Sequence, residues 1–168
     1  MRTITFIVLL VGVTTLSCID PNHSDAVDAL GPEVPGVRQG PTHRAGQPCT
    51  TCHGSSGPGE PQFVVGGTIY DREPSATTTP VALEGVTISL RDIKGSTKTA
   101  ISNQVGNFYV TEQEWQPTYP IFVSITYGDK TTEMTTRIGR NGGCASCHVG
   151  AGDNRHMPLV YLKKVADP

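Results

Sequence analysis

Cysteine and histidine recur together in one arrangement, Cys49-Thr50-Thr51-Cys52-His53 and Cys144-Ala145-Ser146-Cys147-His148. This repeat constrains the chain more than any other feature, because it uses every cysteine except Cys18. Two thiols one helical turn apart face the same way, spaced to add across the two vinyl groups on one edge of a porphyrin. The adjoining imidazole then swings under the ring toward the metal. Cys-x-x-Cys-His is the attachment signal of c-type haem. It assigns Cys49, Cys52, Cys144 and Cys147 to thioether bonds, and His53 and His148 to the proximal iron positions. The expectation is two covalently bound haem c groups. With 5 Cys and 5 His in 168 residues, chance would hardly ever produce the pattern once, let alone in two copies.

Two other uses of four cysteines fit less well. Structural zinc joins Cys-x-x-Cys pairs that lie much closer in sequence than these do. Disulfides would satisfy the thiols, but neither use explains a histidine directly after both pairs.

With His53 and His148 assigned, two irons still need sixth ligands. His43 lies six residues before Cys49, and His156 eight residues after His148. Both are the distal candidates, each near a haem in sequence and able to ligate its own haem or cross to its neighbour's, and the expectation is ligation by two histidines at each iron. Met157, adjacent to His156, is the rival; successive strand residues point to opposite faces, so only one of the two meets a given iron. Met134 fits the inward phase of a strand and goes to packing, and His23 has no role.

The N-terminus implies export. Residues 1–18 carry Arg2, an apolar run from Ile4 to Leu16, and small residues leading to Cys18. The run is too short to span a bilayer and suits a signal peptide. Leu16-Ser17-Cys18 resembles a bacterial lipoprotein signal, which implies lipidation of Cys18 after cleavage. The plainer alternative, a signal peptide cut near Ser17, leaves Cys18 as a stray thiol in an oxidising compartment. Residues 19–48 hold Pro21, Pro32, Pro35, Pro41 and Pro48 without a sustained apolar period, as a tether does. One helical turn is expected near Asp25–Leu30.

Composition bounds the remainder. The 19 Gly and 13 Pro, against one Trp and four Phe, disfavour a long-helix bundle. The 13 basic and 15 acidic residues, net −2, make no field for nucleic acid. Between the motifs, Val86, Ile88 and Leu90 alternate with polar residues, as do Ile121, Val123 and Ile125 with their neighbours, the period of half-buried strands. Val65 and Ile69 share a phase, as do Met134 and Ile138, and Met157–Leu162 reads as a final strand. Turns are expected at Asp92–Gly95, Val105–Asn107 and Gly128-Asp129. A short helix is expected at Thr111–Gln116, where Thr111 and Glu114 have capping-box spacing. About seven short strands suggest a mainly β fold, a small antiparallel sandwich.

The residues Gly66-Gly67-Thr68-Ile69-Tyr70, Gly85-Val86-Thr87-Ile88-Ser89-Leu90, Asp92, Gly95 and Gly106-Asn107-Phe108 carry a resemblance. Residues 65–127 resemble the prealbumin-like domain called carboxypeptidase regulatory-like or Cna-B-like, which implies a prealbumin-like sandwich. The whole layout resembles exported dihaem lipoproteins of the deltaproteobacterial type, which implies electron transfer. The organisation expected is a signal peptide at 1–17, anchor and tether at 18–42, first haem-binding segment at 43–62, sandwich at 63–138, and second haem-binding segment with a final strand at 139–168. Both motifs abut the sandwich, so they can lie at one pole.

No His-Glu-x-x-His, Gly-x-Ser-x-Gly, P-loop or dinucleotide fingerprint occurs. The reading is therefore an exported dihaem cytochrome, not an enzyme, that exchanges single electrons with redox proteins of the cell envelope. It is held by a lipid at a bacterial membrane, facing periplasm or exterior. Two alternatives stand beside it. One is a small peroxidase-like haem enzyme with one open iron. The other is a binding module with structural haem or zinc, which an exposed patch of Tyr109, Trp115 and Tyr119 would favour.

Overall fold

Alternating β-branched residues draw the middle of the chain into strands. The computed structural model describes residues 21–150, 152 and 156–162. Its strands are β1 (Phe63–Thr68), β2 (Thr87–Asp92), β3 (Thr97–Ile101), β4 (Asn107–Thr111), β5 (Ile121–Tyr127) and β6 (Lys130–Glu133). Two short helices precede them, α1 (Pro21–Asp28) and α2 (Cys49–His53), and a 3₁₀ turn at Cys144–Ser146 follows. The expected turn near Asp25–Leu30 is thus a two-turn helix that begins earlier.

β1 pairs with β4, and the other four strands form a sheet in the order β3-β2-β5-β6, all antiparallel. The two sheets pack together, a mainly β architecture with few short helices. Register sets the core: Ile88 stands opposite Ile125 and Leu90 opposite Val123. These meet Val65, Ile69, Phe108 and Val110 in one apolar cluster. Each such buried side chain contributes about 1.5–3 kcal/mol of transfer free energy. The turn after β2 closes on Asp92, a buried carboxylate that accepts hydrogen bonds from the backbone N–H groups of Thr118, Ser96 and Lys94. These bonds, Thr118's foremost, hold its pKa below the usual carboxylate value.

Three expectations are corrected. Residues 134–138 join the sheet through the bridge Ile121↔Ile138 and not as a strand, and Met157–Leu162 makes only the bridges His148↔Met157 and Tyr70↔Tyr161. The helix at Thr111–Gln116 does not form. Its capping-box bonds do: Glu114 Oε2 accepts from Thr111 N at 2.9 Å, and Glu114 N donates to Thr111 Oγ1 at 3.3 Å. One turn does not repay helix nucleation; instead Trp115 turns inward, 8% exposed, and its indole N–H donates to Ser96 Oγ at 2.9 Å.

β1 departs from the alternating pattern as well. Val64 through Ile69 are buried without interruption, because the core and Cys144 cover one face while the first motif packs on the other. That arrangement positions the site.

Candidate functional site

In α2, Pro48 precedes the first turn, its carbonyl accepting from Thr51 N at 2.9 Å, and Gly54 N closes on Thr50 O at 2.9 Å. Helical spacing puts Cys49 and Cys52 on one side. His53 Nδ1 lies 2.9 Å from the carbonyl oxygen of Pro61. A carbonyl only accepts, so Nδ1 carries the proton and Nε2 keeps its lone pair. Phe63 stacks on the imidazole at 4.2 Å and 8°, and Tyr109 stacks on Phe63 at 4.5 Å and 10°.

The second motif repeats this chemistry on a different backbone. Cys147 N and His148 N both close on Cys144 O, at 3.1 and 2.9 Å, around the 3₁₀ turn. His148 Nδ1 lies 2.6 Å from the carbonyl oxygen of Pro158, so its Nε2 is likewise left as the free lone pair. In both motifs a downstream proline carbonyl fixes the tautomer and the ring, as metal-ligating histidines require. The proline residues were not singled out from sequence; their spacing from the motifs differs, and no local rule marks a carbonyl.

The two motifs meet across β1. Gly66 N donates to Gly142 O at 3.0 Å, and Gly66 and Gly143 form a parallel bridge. Thr50 Oγ1 donates to Asn141 Oδ1 at 2.8 Å, tying one motif to the approach of the other. A Cβ on Gly66 would lie 3.2 Å from Cys49 Cβ, and one on Gly67 would lie 2.7 Å from Cys144 Cβ. Neighbouring strand residues face opposite ways, so the two first cysteines flank one strand on its two faces. Burial raises the thiol pKa of Cys49, and burial with Cys49 nearby pushes that of Cys144 up to about 12. The four thiols are unpaired. Among the described residues, no three His, Cys, Asp or Glu side chains gather as metal ligands.

His43 is brought to the first motif, its ring centroid 5.9 Å from that of His53 at an interplanar angle of 65°. Buried polar groups of the small sheet hold it there. Asn107 Nδ2 donates to His43 O at 3.0 Å, Thr68 Oγ1 to Asn107 Oδ1 at 2.7 Å, and Gly46 N to Thr68 Oγ1 at 2.8 Å. His43 Nδ1 lies 3.3 Å from Glu33 Oε1 without hydrogen-bond geometry. Glu33 is held in turn by Arg44, whose guanidinium also reaches Gly31 O at 2.8 Å and Gln47 Oε1 at 2.8 Å. A cavity of about 530 Å³ lies here, lined by His43, Cys49, Cys52, His53, Phe63 and Tyr109 among others.

A second cavity, about 820 Å³, is lined by Cys144, Cys147, His148, His156, Met157 and Met134 among others. Met134 packs partly buried against the core. His23 sits in neither cavity; it lines a third hollow with Thr50 and Asn141, its Nε2 buried. Tyr109, Trp115 and Tyr119 make no exposed patch, since Trp115 is buried and Tyr119 packs against the core. The segments 1–17 and Cys18 lie outside the described residues. No described helix is long and apolar enough to cross a membrane.

No family model matches the chain, and no curated protein or solved structure matches it.

Proposed function

We propose that the protein is an exported dihaem c-type cytochrome that transfers single electrons in the cell envelope. One observation carries this reading. At two unrelated points of the chain, the histidine after a Cys-x-x-Cys pair has its Nδ1 proton on a proline carbonyl, beside a cavity that its cysteines line. Imidazole Nε2 donors and adjacent thiols suit haem iron and vinyl groups in chemistry and in placement.

When bound, the haems supply irons that cycle between two oxidation states. The chain's own residues do the rest. Cys49, Cys52, Cys144 and Cys147 would hold the groups covalently, and His53 and His148 would ligate through Nε2. His43 would supply a further imidazole to the first iron, its ring centroid lying 5.9 Å from that of His53, a separation that two imidazoles sharing a metal through bonds of about 2 Å would have. Phe63 fixes the plane of His53. Gly66 and Gly67 let both attachment points sit against one strand.

The sheets act as a prealbumin-like frame that joins two motifs far apart in sequence. Lipidation at Cys18 anchors the protein to a bacterial membrane, and its partners are redox proteins of the envelope. Burial of Trp115 and packing of Tyr119 against the core remove the aromatic patch that would favour the binding-module alternative.

The test is a pyridine haemochrome assay on protein made in a haem-attaching host. Two haems per chain that survive acid–acetone extraction are expected. Colour fully removed by extraction overturns the reading.

A further inference from the structure

The two motif histidines face different surroundings. His53 has the His43 ring beside it, their centroids 5.9 Å apart, a separation that would admit one shared metal. His148 has its sequence neighbours His156 and Met157 folded back alongside it. Val149 N donates to Met157 O at 2.8 Å and Met157 N to Cys147 O at 2.9 Å, which makes His148 and Met157 a parallel bridge. Bridged residues lie about 4.8 Å apart and send their side chains to the same face. One further residue adds about 3.8 Å, so the His156 Cα stays within roughly 9 Å of the His148 Cα. Two histidines on opposite sides of one iron need more. Two side chains and two metal–nitrogen bonds of about 2 Å separate their Cα atoms by roughly 12 Å. His156 and Met157 are therefore held on the His148 side. Both are exposed, Met157 by 45%.

Met134, the other thioether on this cavity wall, is committed elsewhere. Its backbone N–H donates to Val123 O at 2.9 Å and its side chain packs on the core. The cavity itself is the larger of the two, about 820 against 530 Å³, and Thr136, Arg137 and Ser146 give it a polar portion.

We propose that the second site accepts an external small ligand of the diatomic class at the face opposite His148, whereas His43 closes the first site. This rests on the two-haem reading above. It makes the protein a carrier at one centre and a small-ligand binder at the other. The pairing of His148 with Met157 keeps these two donors, among the described residues, from competing for that face.

The experiment is a carbon monoxide titration of the reduced full-length holoprotein, after its haem content is counted. One carbon monoxide per chain with two haems is expected, together with one high-spin and one low-spin ferric signal in electron paramagnetic resonance. His43→Ala should double the uptake to two per chain, and His156→Ala and Met157→Ala should leave it at one. Two haems with no carbon monoxide uptake and two low-spin signals overturn this inference but not the function above. In that case, conversion to high spin in Met134→Ala or His156→Ala identifies the internal ligand. A chain without haem overturns both.

Discussion

Around Cys49–His53 the chain forms the helix α2 and brings His43 to 5.9 Å from His53; around Cys144–His148 it forms a 3₁₀ turn and folds Met157 back beside His148. The residues of the two motifs are nearly interchangeable, and the proline-carbonyl bond on Nδ1 is common to both. What differs is what the tertiary structure delivers to the other side of the imidazole. The first motif borrows a histidine from an upstream loop that β1 and β4 hold in place. The second has only its own downstream segment, and backbone pairing spends that segment's geometry. On the function proposed above, the short motif would specify attachment, and the surrounding fold the remaining coordination.

The comparison can be broken most severely through the thiols of the cofactor-free protein. Cys144, with its pKa near 12, stays protonated at neutral pH, and the thiolate is the reactive form. Its alkylation should rise about tenfold per pH unit until pH approaches that value. The exposed Cys147 should be labelled before it at pH 7. Mass spectrometry of iodoacetamide-treated protein checks this. Equal labelling of the two thiols at neutral pH would show that the second site is not closed around Cys144.

Next come the glycines of β1. Gly67→Ala puts a methyl group 2.7 Å from Cys144 Cβ and 2.8 Å from its sulfur, a crowding that should cost about 1–3 kcal/mol. Gly66→Ala meets Cys49 Cβ at 3.2 Å, and lower chain entropy in the unfolded state offsets part of that by about 0.4–1 kcal/mol. Urea denaturation of the two variants should therefore show a clear loss for the first and a small change for the second. The reverse order would mean that the first motif is the tighter one.

Asn107→Ala removes a buried side chain that bonds Thr68 and the loop of His43. The orphaned partners should cost about 1–3 kcal/mol. If the proposed haems are present, its optical effect sharpens the contrast, since high-spin character should appear at the first and leave the second unchanged. Glu33→Gln should have the smallest effect. The Glu33–Arg44 pair is partly exposed, which limits its contribution to below about 1 kcal/mol. In protein carrying the two proposed haems, a modest rise in the potential of the first, with the second unmoved, is the expected result of a potentiometric titration. Equal shifts at both would place Glu33's influence outside the His43 contact.

Sequence reasoning reached far into the strands and stopped at the loops. The alternation at Ile88 and Leu90 and at Ile121 and Ile125, and the turn around Asp92, follow from rules that act over a few residues. Thr111 and Glu114 made their capping bonds as their spacing implies, yet the helix they would open gave way to the inward turn of Trp115. Met157–Leu162 had a strand's residues but found only isolated bridges. Local preference of this kind is weak and yields to packing.

By itself, the chain determined which atoms take part. Cys-x-x-Cys-His is complete within five residues, so the reading of haem attachment needs no fold, and His43 and His156 stand out in sequence as candidate donors. Only the tertiary structure decided their positions. The Pro61 and Pro158 carbonyls, the contact of Cys49 and Cys144 with adjacent glycines of β1, and the separation of His43 from His53 all depend on strand pairing between distant segments. Side-chain chemistry is a property of each residue. The face of a metal that a residue can reach is set by backbone hydrogen bonds made far from it in sequence.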